Sequence, residues 1–308
     1  MRLGLPWAPH HVNAWLLRDT DGWTVIDAGL NTPETETDWR DVLSRLDGGP
    51  VTRLLVTHGH ADHAKAAGWF CRQTGAALAM TRVEWTLCHR MQARAETAPW
   101  IAMAHRLGLP DQVGHDAGQA QIEFCKGYAD FPALSEPIAD GDPLTIGPRT
   151  WGVISGGGHG ADMAGLFCPR SNILISADHL LTDIMPILPK SLIAPDDRPI
   201  RRQLALLDRL ERLPAATLVL PSHGIPFTGL HARIAAVRHR MSEDLDRLER
   251  RITQWTGIRE ILGATRGKDL PARQSILVGA NVMSRLDHLV DQGRLHTDGA
   301  EIPGFGPA

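Results

Sequence analysis

Apolar positions along this chain come in short runs separated by turn-rich or helical stretches, the rhythm of a mixed α and β protein. Residues 12–17 and 23–26 are apolar runs around a turn composition at 19–22, and predict a strand pair. Residues 33–46 have helical spacing, with Thr32 placed to cap the first turn and Pro33 suited to the first helical position. Residues 51–56 read as a buried strand, and the Ala-rich stretch 64–74 as a helix. Residues 84–135 lack strand patterning; Trp85, Met91, Trp100, Met103 and a Gly-Leu-Pro break at 108–110 predict a helical insertion with loops. Asp-Gly-Asp and Ile-Gly within 139–147 signal a hairpin, and 150–154, 172–177 and 217–220 read as strands. Helices are predicted over 198–213, stopped by Pro214, and over the charge-laced 230–255. Beyond 256 the pattern changes to a short helix at 258–262 and a longer one at 271–295, with Ile276, Val282, Leu286, Leu289 and Val290 on one face. The Gly- and Pro-containing stretch after Asp298 predicts a loose tail.

Chemistry gathers where the apolar runs end. Directly after 51–56 comes Thr57-His58-Gly59-His60-Ala61-Asp62-His63, three imidazoles and a carboxylate in six consecutive positions. These are the donors that suit zinc and its first-row neighbours. Packing does not explain the cluster, because a buried histidine usually stands alone with its hydrogen bond satisfied, and three so close would repel one another once protonated. Alternate residues of an extended segment point the same way, so His58 and His60 can hold one ion together. Asp62 and His63, at the turn that follows, can reach a second ion. Two ions about 3.5–4 Å apart share a bridging water, the usual arrangement for two-metal hydrolysis. Other ligand types end the later runs: His159 after three glycines behind 150–154, Asp178 behind 172–177, and His223 behind 217–220.

Taken in order, the Asp27-Ala28-Gly29 turn, the His-x-His-x-Asp-His run, the Gly-His loop at His159, Asp178 at a strand end and Ser222-His223-Gly224 resemble the motif series of the metallo-β-lactamase-fold hydrolase superfamily, over about residues 10 to 230. The resemblance implies an α+β fold, an αββα sandwich with a C-terminal helical, winged-helix-like appendage. It implies one metal held by His58, His60 and His159, a second held by Asp62, His63 and His223, and Asp178 bridging the two. One position departs from the pattern: many relatives carry a second histidine four residues after the Gly-His loop, where this chain has Met163. That histidine is usually not a ligand, so the departure bears on the surroundings of the loop. Residues 281–297 resemble the end of a winged-helix unit, with Gly293 to His296 at the start of a wing. In lactamase-β-like and glyoxalase II-related members such a unit packs beside the active site or mediates self-association. The expected organisation is therefore a catalytic domain over 1–230 with an insertion at 84–135 that could wall the substrate pocket, and an extension over 231–308 that could pair two chains as a homodimer.

Composition narrows the function. The 308 residues carry 32 Lys and Arg against 35 Asp and Glu, a formal charge of −3, which argues against a general nucleic-acid binder. Arg285 and Arg294 alone do not make the C-terminal stretch a basic face. Cys71, Cys88, Cys125 and Cys168 are widely spaced without a Cys-x-x-Cys pair, residues 1–9 have no apolar leader, and no run approaches the roughly 18 apolar residues of a membrane helix; the expectation is a cytoplasmic protein with reduced thiols. The cofactors expected are two divalent metal ions, zinc first, with manganese or iron as alternatives. The reaction expected is attack of a metal-activated hydroxide on a carbonyl carbon, with Asp62 orienting the nucleophile and shuttling its proton, and Asp27 bracing the ligand loop. The substrate expected is a small ester, thioester or lactone, served by apolar segments such as 184–189, with His11 and His179 as candidates at the pocket mouth. A glutathione thioesterase would need a basic, tyrosine-bearing clamp, and Tyr128 is the single tyrosine. A ribonuclease on the same metals and an iron-dependent oxidoreductase are the alternative classes.

Overall fold

The computed structural model describes residues 1–93, 96–128, 130–194, 196–265 and 270–308. The chain divides into two compact units, the first made of residues 1–93, 127–186 and 206–234, the second of 94–126, 187–205 and 235–308.

The first unit is a pair of five-stranded sheets. It begins with a small antiparallel pair, β1 (Arg2–Gly4) and β2 (His11–Asn13). One large sheet runs β3 (Trp15–Asp19), β4 (Gly22–Ile26), β5 (Val51–Leu55), β6 (Ala77–Thr81) and β7 (Glu136–Ile138), in that spatial order. Strands β4 to β7 are parallel, so each needs a crossover, supplied in part by α1 (Pro33–Arg45), α2 (Ala61–Ala64), α3 (Ala67–Thr74) and α4 (Arg82–Ala93). The other sheet holds β8 (Pro143–Ile146), β9 (Arg149–Gly156), β10 (Met163–Cys168), β11 (Ile173–Ala177) and β12 (Leu218–Pro221), antiparallel except for the parallel β11–β12 pair. Alternate residues of both sheets meet in one core: Ile26, Leu55, Ala79 and Ile138 from the first, Trp151, Val153, Leu166 and Ile175 from the second. Outside the first sheet, α1 is anchored by Trp39, whose indole donates to Ala28 O at 2.7 Å and meets Phe70 edge to face. The cap on α1 is the expected one: Thr32 Oγ1 accepts from Thr35 N, with Pro33 behind it.

Three expectations fail locally. The run 12–17 breaks at Ala14 because its first part pairs with the N-terminal strand, leaving only β3 to pair with β4. The hairpin at 139–147 is displaced: β7 and β8 belong to different sheets, and the true hairpin joins β8 to β9 through Gly147. Asp140-Gly141-Asp142 is the passage from one sheet to the other. The helix at 64–74 is two, because Ala66 N bonds to Gly29 O and ties the chain to the Asp-Ala-Gly turn between α2 and α3.

The second unit is mainly helical. Helices α5 (Ala98–Arg106) and α6 (Asp111–Cys125) form a close pair, since a Cβ on Gly114 would lie 2.6 Å from Ile101 Cα. Helices α7 (Pro199–Leu210) and α8 (Leu230–Glu249) cross the unit boundary along their length. Then come β13 (Thr256–Gly257), α9 (Ile258–Thr265), α10 (Ala272–Asp291), β14 (Leu295–Thr297) and β15 (Gly304–Pro307). The predicted apolar face of α10 is buried at Ile276, Leu286 and Leu289, and α10 packs on α6. Lys190 is buried and paired with Asp287 of α10. The predicted loose tail is a correction: β15 pairs with both β13 and β14, Phe305 is buried, and the Trp255 indole lies against Gly304 and Gly306 so closely that neither could carry a side chain.

Candidate metal centre

Every candidate ligand sits just past the C-terminal end of a strand in the first unit. His58 to His63 follow β5, His159 follows β9, Asp178 follows β11 and His223 follows β12; Asp27, which is expected to brace the ligand loop, follows β4. Strand ends are fixed by the ladder hydrogen bonds, so loops leaving them present side chains from a rigid base.

The fold brings these residues, up to 165 positions apart in sequence (58 to 223), into one cluster. The ligand atoms of His58, His60 and His159 lie within 4.8 Å of one another, as do those of Asp62, His63 and His223, and those of His58, His63 and Asp178. His60 Nδ1 is 2.8 Å from His159 Nε2. Asp178 is central: its oxygens lie 3.1 Å from His159 Nε2, 3.4 Å from His223 Nε2 and 3.7 Å from His63 Nε2. Asp62 Oδ2 is 3.4 Å from His223 Nε2 and 3.7 Å from His63 Nε2, and Asp62 is the least buried of the carboxylates. Three atoms facing this space, His58 Nε2, His63 Nε2 and Asp178 Oδ1, are buried and have no hydrogen-bond partner among the described residues. Buried polar groups are normally satisfied, and leaving one bare is costly. Three bare donors converging on one spot fit a divalent cation, so the residues present suit the metals the sequence predicts.

The electrostatics split the cluster. Burial, reinforced by His63 and His60, holds the His58 imidazole well below its ordinary range. Burial and His159 bring His60 down to about 3. Burial also pulls on His63, but Asp62, Asp27 and Asp178 outweigh it and push His63 up to about 9. Likewise the hydrogen bonds of His223 to Asp178 and Asp62 overcome its burial and push it up to about 11. Burial would raise both carboxylates, yet His63 and its neighbours bring Asp62 down to about 2 and Asp178 well below its usual value.

The supporting contacts are specific. Asp27, whose backbone is left-handed at φ 64°, accepts from Thr57 N at 2.8 Å and Thr57 Oγ1 at 3.0 Å, and its Oδ2 meets His63 Nδ1 at 2.8 Å. Thr57 Oγ1 in turn lies 3.1 Å from His58 Nδ1. One carboxylate therefore orients an imidazole in each half of the cluster. His223 Nδ1 donates to His11 O at 2.7 Å, which turns Nε2 toward the carboxylates. His11 uses its ring to accept from Gly224 N at 2.9 Å, with its other nitrogen 3.1 Å from Pro9 O. His179 is buried, with Nε2 3.0 Å from Met163 O, and burial brings it down to about 4. Both histidines face backbone, which suits bracing the loops more than touching a substrate at a pocket mouth. Met163 is fully buried in β10, and no histidine from that position enters the cluster.

Sequence reasoning missed Glu84, which is buried and receives both Gly59 N and Asp162 N. It also left Tyr128 unassigned; its hydroxyl donates to Gly59 O at 2.8 Å. The signal for Glu84 was present as Thr81-x-x-Glu84 behind an apolar run, the spacing of a capping box. Nothing in the sequence pointed to Tyr128.

The family model of the metallo-beta-lactamase superfamily matches residues 7–223, and that span contains every candidate ligand. The chain belongs to the metallo-β-lactamase superfamily. A beta-lactamase domain protein from Burkholderia ambifaria has a similar structure, with a TM-score of 0.85 and 30% identity over 100% of this chain and 91% of its own. A metallo-beta-lactamase family protein from Thermus thermophilus gives a TM-score of 0.83 at 20% identity, covering 100% of this chain and 97% of its own. A hydroxyacylglutathione hydrolase from Rhodobacter capsulatus is 25% identical over 169 residues, 55% of this chain. The match spans about half, 48%, of that curated relative. Among the described residues no helix is long and apolar enough to cross a membrane.

One backbone feature of this superfamily site carries a stability prediction. Ala177, immediately before Asp178, is left-handed at φ 48°, in a strand whose register shifts at that point. A side chain in that conformation costs about 1 kcal/mol relative to glycine. Ala177→Gly is therefore expected to raise the unfolding free energy by up to about 1 kcal/mol. Ala177→Val, β-branched at the same φ, is expected to lower it. Urea unfolding midpoints at constant m-value measure both.

Proposed function

We propose that this chain is a dinuclear metal-dependent hydrolase acting on a small carboxylic ester, thioester or lactone. The observation that carries the reading is the set of three bare, buried ligand atoms, His58 Nε2, His63 Nε2 and Asp178 Oδ1, converging within a cluster of five histidines and two aspartates. His58, His60 and His159 are assigned to one ion, Asp62, His63 and His223 to the other, and Asp178 to both. Bound there, two divalent ions, zinc first, would supply an acidified water and a Lewis acid for a carbonyl oxygen. Asp62, the ligand-type carboxylate nearest solvent, stays ionised through the neutral range and can take the proton released as the acyl bond is attacked and hand it to the leaving group. Asp27 and Thr57 hold the imidazoles in place while this happens.

The substrate reading rests on what surrounds the centre. Ile225, two residues beyond His223, is 59% exposed, and Thr182 Oγ1 bonds to Ile225 O, tying that loop to the one that carries exposed Ile184. Exposed isoleucines on the loop that leaves His223 and on the loop tied to it favour an uncharged acyl group. The single tyrosine, Tyr128, is buried with its hydroxyl committed to Gly59 O, so it has no part in a glutathione clamp. For that reason the thioester activity in the name of the Rhodobacter capsulatus relative is narrowed here to the bond type and does not extend to the glutathione moiety. Residues 231–308 are assigned to a winged-helix-like extension that serves packing or self-association.

The test is metal quantification with an activity panel. Protein purified without chelator should hold close to two metals per chain and cleave at least one class among p-nitrophenyl esters, acyl thioesters and lactones, and chelation should abolish the activity. A stoichiometry at or below one after reconstitution with excess zinc, manganese or iron would sink the dinuclear reading. Salt-sensitive binding and cleavage of RNA in place of the panel would move the assignment to a nuclease.

A further inference from the structure

The structure assigns Glu84 as the positioning residue that clamps the two ligand loops of the His58–His60–His159 group to each other; the inference rests on the metal reading of that group. Thr81-Arg82-Val83-Glu84 has the spacing of a capping box at the start of α4, and half of the motif is made: Glu84 N lies 3.4 Å from Thr81 Oγ1. The reciprocal half is absent. Rather than returning to the backbone of Thr81, the Glu84 carboxylate leaves the helix and spends its two oxygens on two different loops. Oε2 accepts from Gly59 N at 2.9 Å, between His58 and His60, and Oε1 accepts from Asp162 N at 2.8 Å, three residues after His159. Thr81 adds a third tie by donating its hydroxyl to Asp162 O at 2.8 Å. The Gly59 peptide is held from its other side by Tyr128.

The glycines on both loops follow from this clamp. A Cβ on Gly59 would lie 3.3 Å from Glu84 Oε2 and 2.8 Å from Cys88 Sγ, and a Cβ on Gly160 would lie 2.8 Å from Glu84 Oε1. Neither residue has a positive φ, so the glycines answer close packing rather than dihedrals: the carboxylate's approach at Gly160, and Cys88 Sγ together with the carboxylate at Gly59. The other group is oriented differently, His63 by Asp27 and His223 by His11. Glu84 therefore acts on one half of the centre. Fixing both loops sets the spacing of the three imidazoles before an ion arrives, and contacts of this kind typically govern ion affinity by about 10–100-fold.

Glu84→Gln separates the clamp from helix capping. Glutamine serves a capping box as well as glutamate does. Its side chain, however, has only one acceptor oxygen, so it cannot present one to each of the two N–H groups that Glu84 Oε1 and Oε2 receive, and its amide would face one of them donor to donor. The experiment is cobalt and zinc titration of the full chain, followed by the cobalt absorption bands and by competition with a chelator, with far-UV circular dichroism as the folding control. Wild type should take two ions. Glu84→Gln should bind one of them about 10–100-fold more weakly with altered cobalt bands, and keep wild-type affinity for the other. Gly160→Ala, which pushes on the same carboxylate from the loop side, should reproduce that selective loss, and decides alone should Glu84→Gln fail to fold. Two ions bound with unchanged affinities in both variants would overturn the clamp and leave the metal reading standing. Equal weakening of both ions would also overturn it. A wild-type chain that binds no metal would overturn the ligand reading and the clamp with it.

Discussion

Asp62→Asn is expected to lower turnover of the best panel substrate by about 10²–10⁴-fold, the scale of a lost general acid or base. Asparagine keeps the shape of the side chain but removes its charge. Asp62 Oδ2 sits 3.4 Å from His223 Nε2 and 3.7 Å from His63 Nε2, so the charge both completes one ligand group and holds the two imidazoles that flank it. The residue lies in the first turn of α2, a four-residue helix at the edge of the sheets, and the core shared by the two sheets does not include it. The fold should therefore survive, as circular dichroism of the metal-free variant should show, with a thermal midpoint lowered by the loss of the Asp62 charge beside His63 and His223. Steady-state kinetics at saturating metal is the measurement. Near-wild-type turnover would show that Asp62 has been given the wrong role, whatever the metal content.

Metal uptake should displace two protons through the imidazoles of one group and none through His58 and His60 of the other. An imidazole binds metal only when neutral. His58 lies well below its ordinary range and His60 at about 3, so both are neutral at pH 7 and release no proton on loading. His63 at about 9 and His223 at about 11 are protonated at pH 7, so loading that group displaces two protons. Its apparent affinity should then rise about 100-fold per pH unit below pH 9, the weight of two protons in the binding equilibrium. Calorimetric titration in buffers of different ionisation enthalpy counts the protons directly. Two protons for one event and none from His58 or His60 for the other is the expected result; equal proton counts for both events would refute the asymmetry. In the metal-free chain the same groups make stability depend on pH from both sides. The raised pKa of His63 stabilises fully below its unfolded value of about 6.5 and is lost as pH rises through 9, while the lowered pKa of Asp62 stabilises above about 3.9 and is lost as pH falls toward 2.

Several elements were legible because their causes are local. Helix α1 begins where Thr32 and Pro33 indicate, and the strands before His58, Asp178 and His223 lie within one or two residues of their apolar runs. A run of apolar residues followed by a polar ligand type records a strand leaving the core, and that transition needs no knowledge of the partner strand. The His-x-His-x-Asp-His run is legible for the same reason, since its spacing alone brings four donors together.

What the sequence hid was pairing. Residues 12–17 read as one strand, but Val12 joins a strand nine positions upstream of it while Trp15 to Leu17 join β4 (Leu3 pairs with Val12). The Asp-Gly-Asp turn at 140–142 has hairpin composition and instead carries the chain between sheets, because turn residues specify a reversal and not which strand waits beyond it. Residues 299–308 have the composition of a tail, yet Phe305 is buried in a strand paired on both sides, and Trp255, fifty positions earlier, packs against the glycines that flank it. A strand at a sheet's centre is stabilised by neighbours its own residues do not encode.

The sequence by itself determined which residues can serve as ligands and which side of each strand end they occupy, because donor chemistry and strand periodicity are properties of the local chain. The motif resemblance already grouped His58, His60 and His159, and Asp62, His63 and His223, with Asp178 between them; only the tertiary structure brings the ligand atoms within 4.8 Å of one another in each group, because those distances depend on the register of two sheets. It alone placed Asp27 on Thr57 and His63, and it alone turned Glu84 away from its own helix toward two loops. A carboxylate's spacing from Thr81 predicts a cap; which N–H groups it finds is settled by what the fold carries past it.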